Sequence, residues 1–264
     1  MRLMKEMVYQ SWKRCKERGL PKDILLPVLR LTDNEVRLLV NKHKVLISIF
    51  NSSIEEIKSF VTGQYIFLLT DIQGILLTAA SSMLIERYAK ESGIKLGMSF
   101  AEESCGTNAI SMAMALKKSV YIRPEQHYCR ILKKWYCYAT PLWVNESVIG
   151  YVDVSTINQM MQKELMAIIE LLSYQIGYKL KELKETEAAN KVRRIKVENK
   201  MNGQQLQVLK LLAKGYTEKE IAVELCLNIN TVKYHKKQIF GKLGAKSSAE
   251  AVARAIELKL TVQG

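Results

Sequence analysis

No stretch of this sequence approaches the roughly 18 apolar residues that a membrane-spanning helix needs, and its opening, MRLMKEMVYQSWKRCKERG, lacks the apolar core of a signal peptide. Both absences point to a cytoplasmic protein with no membrane partner. Five cysteines, Cys15, Cys105, Cys129, Cys137 and Cys226, make an odd number without a CxxC pair, which argues against a disulfide scaffold or a structural zinc site. No G-x-x-x-x-G-K-S/T phosphate loop occurs, so the chain carries no ATPase of that type. Residues 1–178 lack the five-fold β-α alternation of a phosphoacceptor receiver, and a response to phosphorylation is not expected. Nothing repeats internally.

What the chain does have is positive charge. Its 264 residues, 48% hydrophobic and 25% charged, are enough for two domains, and the net charge of +14 is placed unevenly. Residues 1–178 hold 22 Lys+Arg against 17 Asp+Glu, residues 179–200 hold 8 against 4, and residues 201–264 hold 10 against 5. The last third thus carries +9 of the +14. A polyanion, nucleic acid before membrane surface, is the expected partner of that end.

Hydrophobic periodicity reads residues 7–62 as helices, with Thr32 or Asp33 as the N-cap of DNEVRLLVNKHKVLISIF. YIFLLTD and GILLTAA read as a hairpin through the turn DIQG. SSMLIERYAKESG reads as a short helix ending at Gly93, and AEESCGTNAISMAMALKK as a helix that starts around Thr107 and Asn108. SVYIR, WYCYATPLWV and SVIGYVDVST read as strands, in a sheet of five or six. From Asn158 to about Lys200 the chain reads as helix, without proline and with the single glycine Gly177. Ile169, Ile176, Leu183, Asn190 and Val197 recur every seven residues. They form either a two-stranded coil with Asn190 as its polar register position, or the inner face of a helix packed on its own domain. Four short helical segments follow. The order predicts an α+β sensory module over 1–180, a connecting helix over 158–200 and a small all-α module over 201–264.

In NTVKYHKKQIFGKLGA, residues 230–245, Val232, Ile239 and Leu243 fall on one helical stripe while Lys233, Tyr234 and Lys237 point the other way. Just upstream, YTEKEIAVEL places Thr217 and Glu220 at capping-box spacing and turns Ile221, Ala222 and Leu225 inward. CLNI is a tight turn, Cys226 a small filler, and Asn228 a cap for the next helix. Two short helices so joined form a helix-turn-helix, whose second helix enters the major groove. The stretch QVLKLLAKGYTEKEIAVELCLNINTVKYHKKQIFGKLGAKSSAEAVARA resembles the LuxR-type (NarL/FixJ) DNA-binding domain, with G-x-T-x-K-E-I-A, T-V-K-x-H and K-L-G-A in order. The resemblance implies that Lys233, Tyr234 and Lys237 face bases and that Thr217, Thr231 and His235 lie near the DNA backbone. Lys219 and Asn230 complete the expected set, and helix 247–258 corresponds to the dimer-forming element. A packing role for His235 is the alternative. Gln205 departs from the family's acidic residue and Ser248 from its arginine.

Near the other end, SWKRCKERGLP, then ESCGTNAI, EQHYCRILKKWYCYATPLW and VIGYVDVS, resemble the sensory region of acetoin-catabolism activators, a GAF domain, over about residues 7–180. That resemblance implies a small-molecule pocket between the sheet and its covering helices and loops. At period two, Trp135 and Cys137 share one face while Tyr136 and Tyr138 share the other. The expected ligand-binding set is Cys105, Thr107, Asn108, His127, Trp135, Cys137 and Tyr151, with Trp143 also among the candidate aromatic walls. Thr107 and Asn108 either hold an anionic or carbonyl ligand at a helix start or only cap that helix. Cys105, His127, Cys129 and Cys137 offer soft and borderline ligands, so a redox, metal or haem sensor is an alternative, although no resident cofactor is expected. A Cys105/His127 nucleophile lacks an orienting acid and an oxyanion element, and the chain is not read as an enzyme.

These readings converge on a one-component transcription regulator. A small effector in the GAF-type domain controls binding of promoter DNA by a C-terminal helix-turn-helix, in a homodimer, with RNA polymerase as a further partner. A DNA-binding scaffold whose GAF domain only dimerises or recruits a protein is the second alternative.

Overall fold

The computed structural model describes residues 2–82, 85, 93–198 and 201–260, in two compact units, Met1–Lys181 and Glu182–Gly264. The helix predicted over SSMLIERYAKESG falls almost wholly outside the described residues.

The first unit is built on an antiparallel sheet of β1 (Ile66–Asp71), β2 (Leu76–Ser81), β3 (Val120–Ile122), β4 (Trp135–Val144) and β5 (Ser147–Ile157), in the order β2-β1-β5-β4-β3. β1 and β2 form the predicted hairpin, and Asp71 shapes its turn. Its Oδ1 accepts from the backbone N–H of Gln73 and Ile75 at 2.9 and 2.8 Å, the side-chain substitute for a backbone turn bond that Asp supplies well. β4 and β5 pair from Trp135↔Ile157 to Val144↔Ser147, and Asn145 turns the chain between them at φ 55°.

Helices α1 (Arg2–Glu17), α2 (Asp33–Lys42) and α3 (Lys44–Ile57) precede the sheet. The helical reading of 7–62 fails between 18 and 32, where Pro21 and Pro27 remove backbone donors and the chain hydrogen-bonds elsewhere. Leu31 N–H donates to Gly97 O at 2.9 Å and Ser99 N–H to Leu29 O at 3.0 Å. Thr32 is the cap of α2, in a reciprocal box with Glu35. After β2 come α4 (Glu102–Cys105) and α5 (Ala109–Leu116), and after β5 the long α6 (Lys163–Glu198). This last helix starts later than its sequence pattern, because Asn158 turns at φ 53° and donates to Lys134 O.

The pleat sorts the sheet's side chains. Ile66, Leu68, Leu76, Trp135, Cys137 and Tyr151 face α5 and the partly buried Met4, Met7 and Trp12 of α1. Phe67, Leu69, Leu77, Val152 and Val154 face Leu46 and Phe50 of α3 and Ile169, Leu172, Ile176 and Leu180 of α6, with Tyr136 and Tyr138 on that side. Gly177 is required by the same packing, since a Cβ there would run into the Trp143 carbonyl oxygen. The seven-residue repeat is therefore not one free seam. Ile169 and Ile176 are buried against their own sheet, Leu183 and Asn190 are exposed, and Val197 is buried in the second unit.

The second unit packs α7 (Gly203–Ala213), α8 (Glu218–Glu224), α9 (Ile229–Leu243) and α10 (Ser248–Glu257) around Val208, Ile221, Val232, Ile239, Ala251 and Ala255. Thr217 and Glu220 make the reciprocal capping box, and Asn228 Oδ1 accepts from Asn230 N–H at 2.8 Å. Gln205, which stands where the resembled family has an acidic residue, accepts from Lys242 Nζ at 2.6 Å, so a charge-assisted hydrogen bond ties α7 to α9 without an ion pair. Among the described residues no helix is long and apolar enough to cross a membrane.

Gly177→Ala forces a methyl group against the β4 backbone, and overpacking of this kind costs about 1–3 kcal/mol. Urea unfolding followed on the three tryptophans, Trp12, Trp135 and Trp143, all in the first unit, is expected to show a lower midpoint. An unchanged midpoint would mean that α6 yields without loss.

Candidate functional site

Between the sheet face that carries Trp135 and the cover formed by residues 94–100 and the start of α5 lies a cavity of about 800 Å3. Such a volume is ample for a small organic ligand. Ile66, Leu68 and Leu76 form its apolar floor with Trp135 and Cys137, and Phe100, Ala109 and Ile110 its cover. Two polar residues of β5, Asp153 and Ser155, complete the floor, while the exposed Asp33, Glu55 and Lys95 also border it.

Of the residues expected to bind a ligand, Asn108, Trp135 and Cys137 line this cavity, and Cys105, Thr107, His127 and Tyr151 do not. Thr107 is turned toward α1 instead. Its hydroxyl lies 2.7 Å from that of Ser11, which donates to Glu102 Oε2 at 2.6 Å. Arg14 grips the same carboxylate at 2.8 and 2.6 Å, and these bonds outweigh burial to hold Glu102 below the usual carboxylate range. Asn108 spends its side chain on the local fold: Oδ1 caps Ser111 N–H at 2.9 Å, and Nδ2 donates to Phe100 O and Gly106 O at 2.8 and 2.9 Å. Tyr151 is buried beside the cavity with its hydroxyl 2.8 Å from Lys117 Nζ.

The four residues of the metal or redox alternative are not gathered into a group of three or more that would hold an ion, among the described residues. Cys129 donates to the Cys105 carbonyl oxygen at 2.6 Å. The Cys105 thiol is pushed well up by its neighbour Cys129 and by burial, and the Cys137 thiol by burial. His127 is buried with neither ring nitrogen hydrogen-bonded, and burial with nearby Lys133 brings its pKa down to about 3. Trp143 is largely exposed and not at the cavity.

Asp153 is the residue that sequence reasoning missed. It sits in the run GYVDVS, paired with Ala139 across the sheet and with Val152 and Val154 as chain neighbours, an acid where only apolar side chains are expected. Period two puts it on the face of Tyr151 and of Ser155, which pairs with Cys137, and that spacing is the signal by which it is legible. Ser155 Oγ donates to Asp153 Oδ1 at 2.6 Å. Burial raises the carboxyl to about 7 against the Ser155 bond, which lowers it.

The second unit presents a separate surface. Lys219, Asn230, Lys233, Tyr234 and Lys237 are exposed, and Thr231 is half-buried. Thr217 is exposed with its hydroxyl engaged in the α8 cap. His235, read as either a DNA-backbone neighbour or a packing residue, is 6% exposed, on the stripe of Val232 and Ile239, with both ring nitrogens buried. Cys226 is no interior filler but an exposed turn residue at φ 51°. Lys236, next to the exposed Lys237, is committed to the fold through an ion pair with Glu218 at 2.6 Å.

The raised Asp153 carboxyl sets a pH dependence whose sign follows from proton uptake. Between about pH 4 and pH 7 the folded state holds a proton that the unfolded chain releases, so this group's contribution to stability falls as pH rises and levels off above about 7. Asp153→Asn is expected to raise Tm at pH 8 and to give much less gain at pH 5. A gain independent of pH would mean that the carboxyl titrates normally.

Comparison with known proteins covers both units. Residues 190–255 match the bacterial regulatory proteins of the luxR family, and residues 3–177 match the MimR N-terminal domain. The chain is 28% identical over 166 residues to a signal-transduction and transcriptional-control protein of Clostridium beijerinckii, covering 62% of this chain and 26% of that one. It is 28% identical over 187 residues to the propane 2-monooxygenase operon transcriptional activator MimR of Mycolicibacterium goodii, covering 69% and 31%. The chain thus spans only about a quarter to a third of the length of these relatives. A crystal structure of the E. coli DhaR(N)-DhaL complex shares the fold with a TM-score of 0.63 at 17% identity, over 69% of this chain and 63% of that one. With an α+β GAF-type module matched over well more than half of its length and a LuxR-type helix-turn-helix after it, the chain belongs to the MimR N-terminal domain family.

Proposed function

We propose that this protein is a one-component transcription regulator in which a small molecule held in the cavity of the first unit controls promoter binding by the second. The observation that carries the sensing half is the largely apolar cavity itself, open enough for a ligand and lined by one buried acid. The DNA half rests on the exposed lysines and tyrosine at the start of α9, in a chain whose last third carries most of the net charge. Lysine–phosphate contacts supply salt-dependent affinity, while Tyr234 reads shape or a thymine methyl group. The effector acts by population shift: it moves the DNA-binding equilibrium only by its differential affinity for two states of the chain. Helix α6 runs from residues packed on the sheet to Val197 in the second unit, and is the element along which that bias travels. The protein acts as a homodimer and contacts RNA polymerase at its promoter.

On a DNA site selected from a random library, Lys233→Ala or Lys237→Ala is expected to weaken binding about ten-fold or more, since a good base or phosphate contact is worth roughly 1–3 kcal/mol. A lysine that touches phosphate also flattens the dependence of affinity on salt when removed. Thermal stability stays at the wild-type value, both side chains being exposed. Wild-type affinity in both variants would place the DNA interface elsewhere.

A further inference from the structure

We propose that the cavity of the first unit takes an organic ammonium ion: an apolar molecule with one protonated nitrogen, which donates to Asp153 and rests against Trp135 and Phe100. This rests on the reading of that cavity as the effector site.

Three observations carry it. The first is charge. Among the described residues the cavity is bordered by three acids, Asp33, Glu55 and Asp153, and by one base, Lys95, in a chain with a net charge of +14. Only Asp153 of these four is buried. The second is the state of its polar side chains. Asn108 has spent both amide donors on backbone oxygens, and Ser155 gives its hydroxyl proton to Asp153. The buried side chains therefore present an unneutralised acceptor and no basic group, among the described residues. A carboxylate or phosphate ligand would set like charge beside Asp153 in an apolar site, which is costly. A ligand that donates and is positive satisfies it. The third is the wall. Trp135 and Phe100 line the same cavity, and tryptophan is the best side-chain partner for a cation over its ring. An apolar body then fills the space between Ile66, Leu68 and Leu76.

The test uses four probes of similar size, benzylamine, benzyl alcohol, benzoate and toluene, titrated calorimetrically into the full chain at pH 7.5. Three proteins are compared: wild type, Asp153→Asn, and Ala79→Trp, which adds bulk on the cavity side of β2 where Ala79 pairs with Leu68. Benzylamine is expected to bind at least ten-fold more tightly than the other three. Asp153→Asn should erase that preference while retaining toluene, and Ala79→Trp should weaken all four. If benzyl alcohol, benzoate or toluene binds wild type as well as benzylamine does, or if Asp153→Asn leaves benzylamine unaffected, the ammonium assignment is overturned and the cavity remains the ligand site. If no probe binds wild type, or Ala79→Trp weakens none, the reading of this cavity as a ligand site falls with it.

Discussion

The pairing of β4 with β5 is the constraint on which the first unit depends. These two long strands are buried on both faces, so a slip of one residue in their register would send every side chain to the wrong side. In the register observed, Trp135 and Cys137 share a face with Ser155, Asp153 and Tyr151, and the opposite face receives Val152 and Val154 against α3 and α6. One face is thereby closed by two helices packed tightly enough to need a glycine at 177. The other is spanned by α5 and an irregular segment, and it is there that space remains for a cavity.

Among the described residues that cavity has few buried polar side chains, Asn108, Asp153 and Ser155, and each has a physical cause. Asn108 lines it yet serves the backbone, capping α5 and pinning Phe100 and Gly106. Buried amides are kept where every donor finds a partner, which is the case here. Asp153 is different, because one hydroxyl from Ser155 does not replace the hydration that burial removes. A fold tolerates such a group at a site of use more readily than in a core, where an apolar side chain would be more stable. Cys105 and Cys129 show the opposite pattern: both are buried, Cys129 Sγ donates to the Cys105 carbonyl oxygen, and that neighbour together with burial pushes the Cys105 thiol well up.

In the second unit the lysines are divided between two tasks. Lys236 bridges to Glu218 and Lys242 to Gln205, tying α9 to α8 and α7. Arg254 donates to Leu243 O and Gly244 O, closing the end of α9 where Gly244 adopts φ 68°. Lys219, Lys233 and Lys237 take no part in this framework and stay exposed. A domain this small is stabilised by caps and cross-helix bonds, and the exposed lysines of α9 are left free of structural duty.

Alternation and caps were legible in the sequence because they act within a few residues. The hairpin through Asp71, the division of Trp135 and Cys137 from Tyr136 and Tyr138, and the boxes at Thr32 and Thr217 all follow from pleat period and side-chain reach. The helix-turn-helix was legible for the same reason, with its motif intact and its lysines at the right phase. Only tertiary structure decided the rest. Residues 28–31 are not helical because their backbone hydrogen bonds go to residues 97–104, far along the chain. The seven-residue repeat of α6 was spent on its own sheet at Ile169 and Ile176. Thr107, His127 and Tyr151 looked available because their types suit ligands, but Ser11, burial and Lys117 claim them. Asp153 became visible only when the face it shares proved to border a cavity among the described residues, since a strand's pattern tells which side a residue faces and not whether that side is filled.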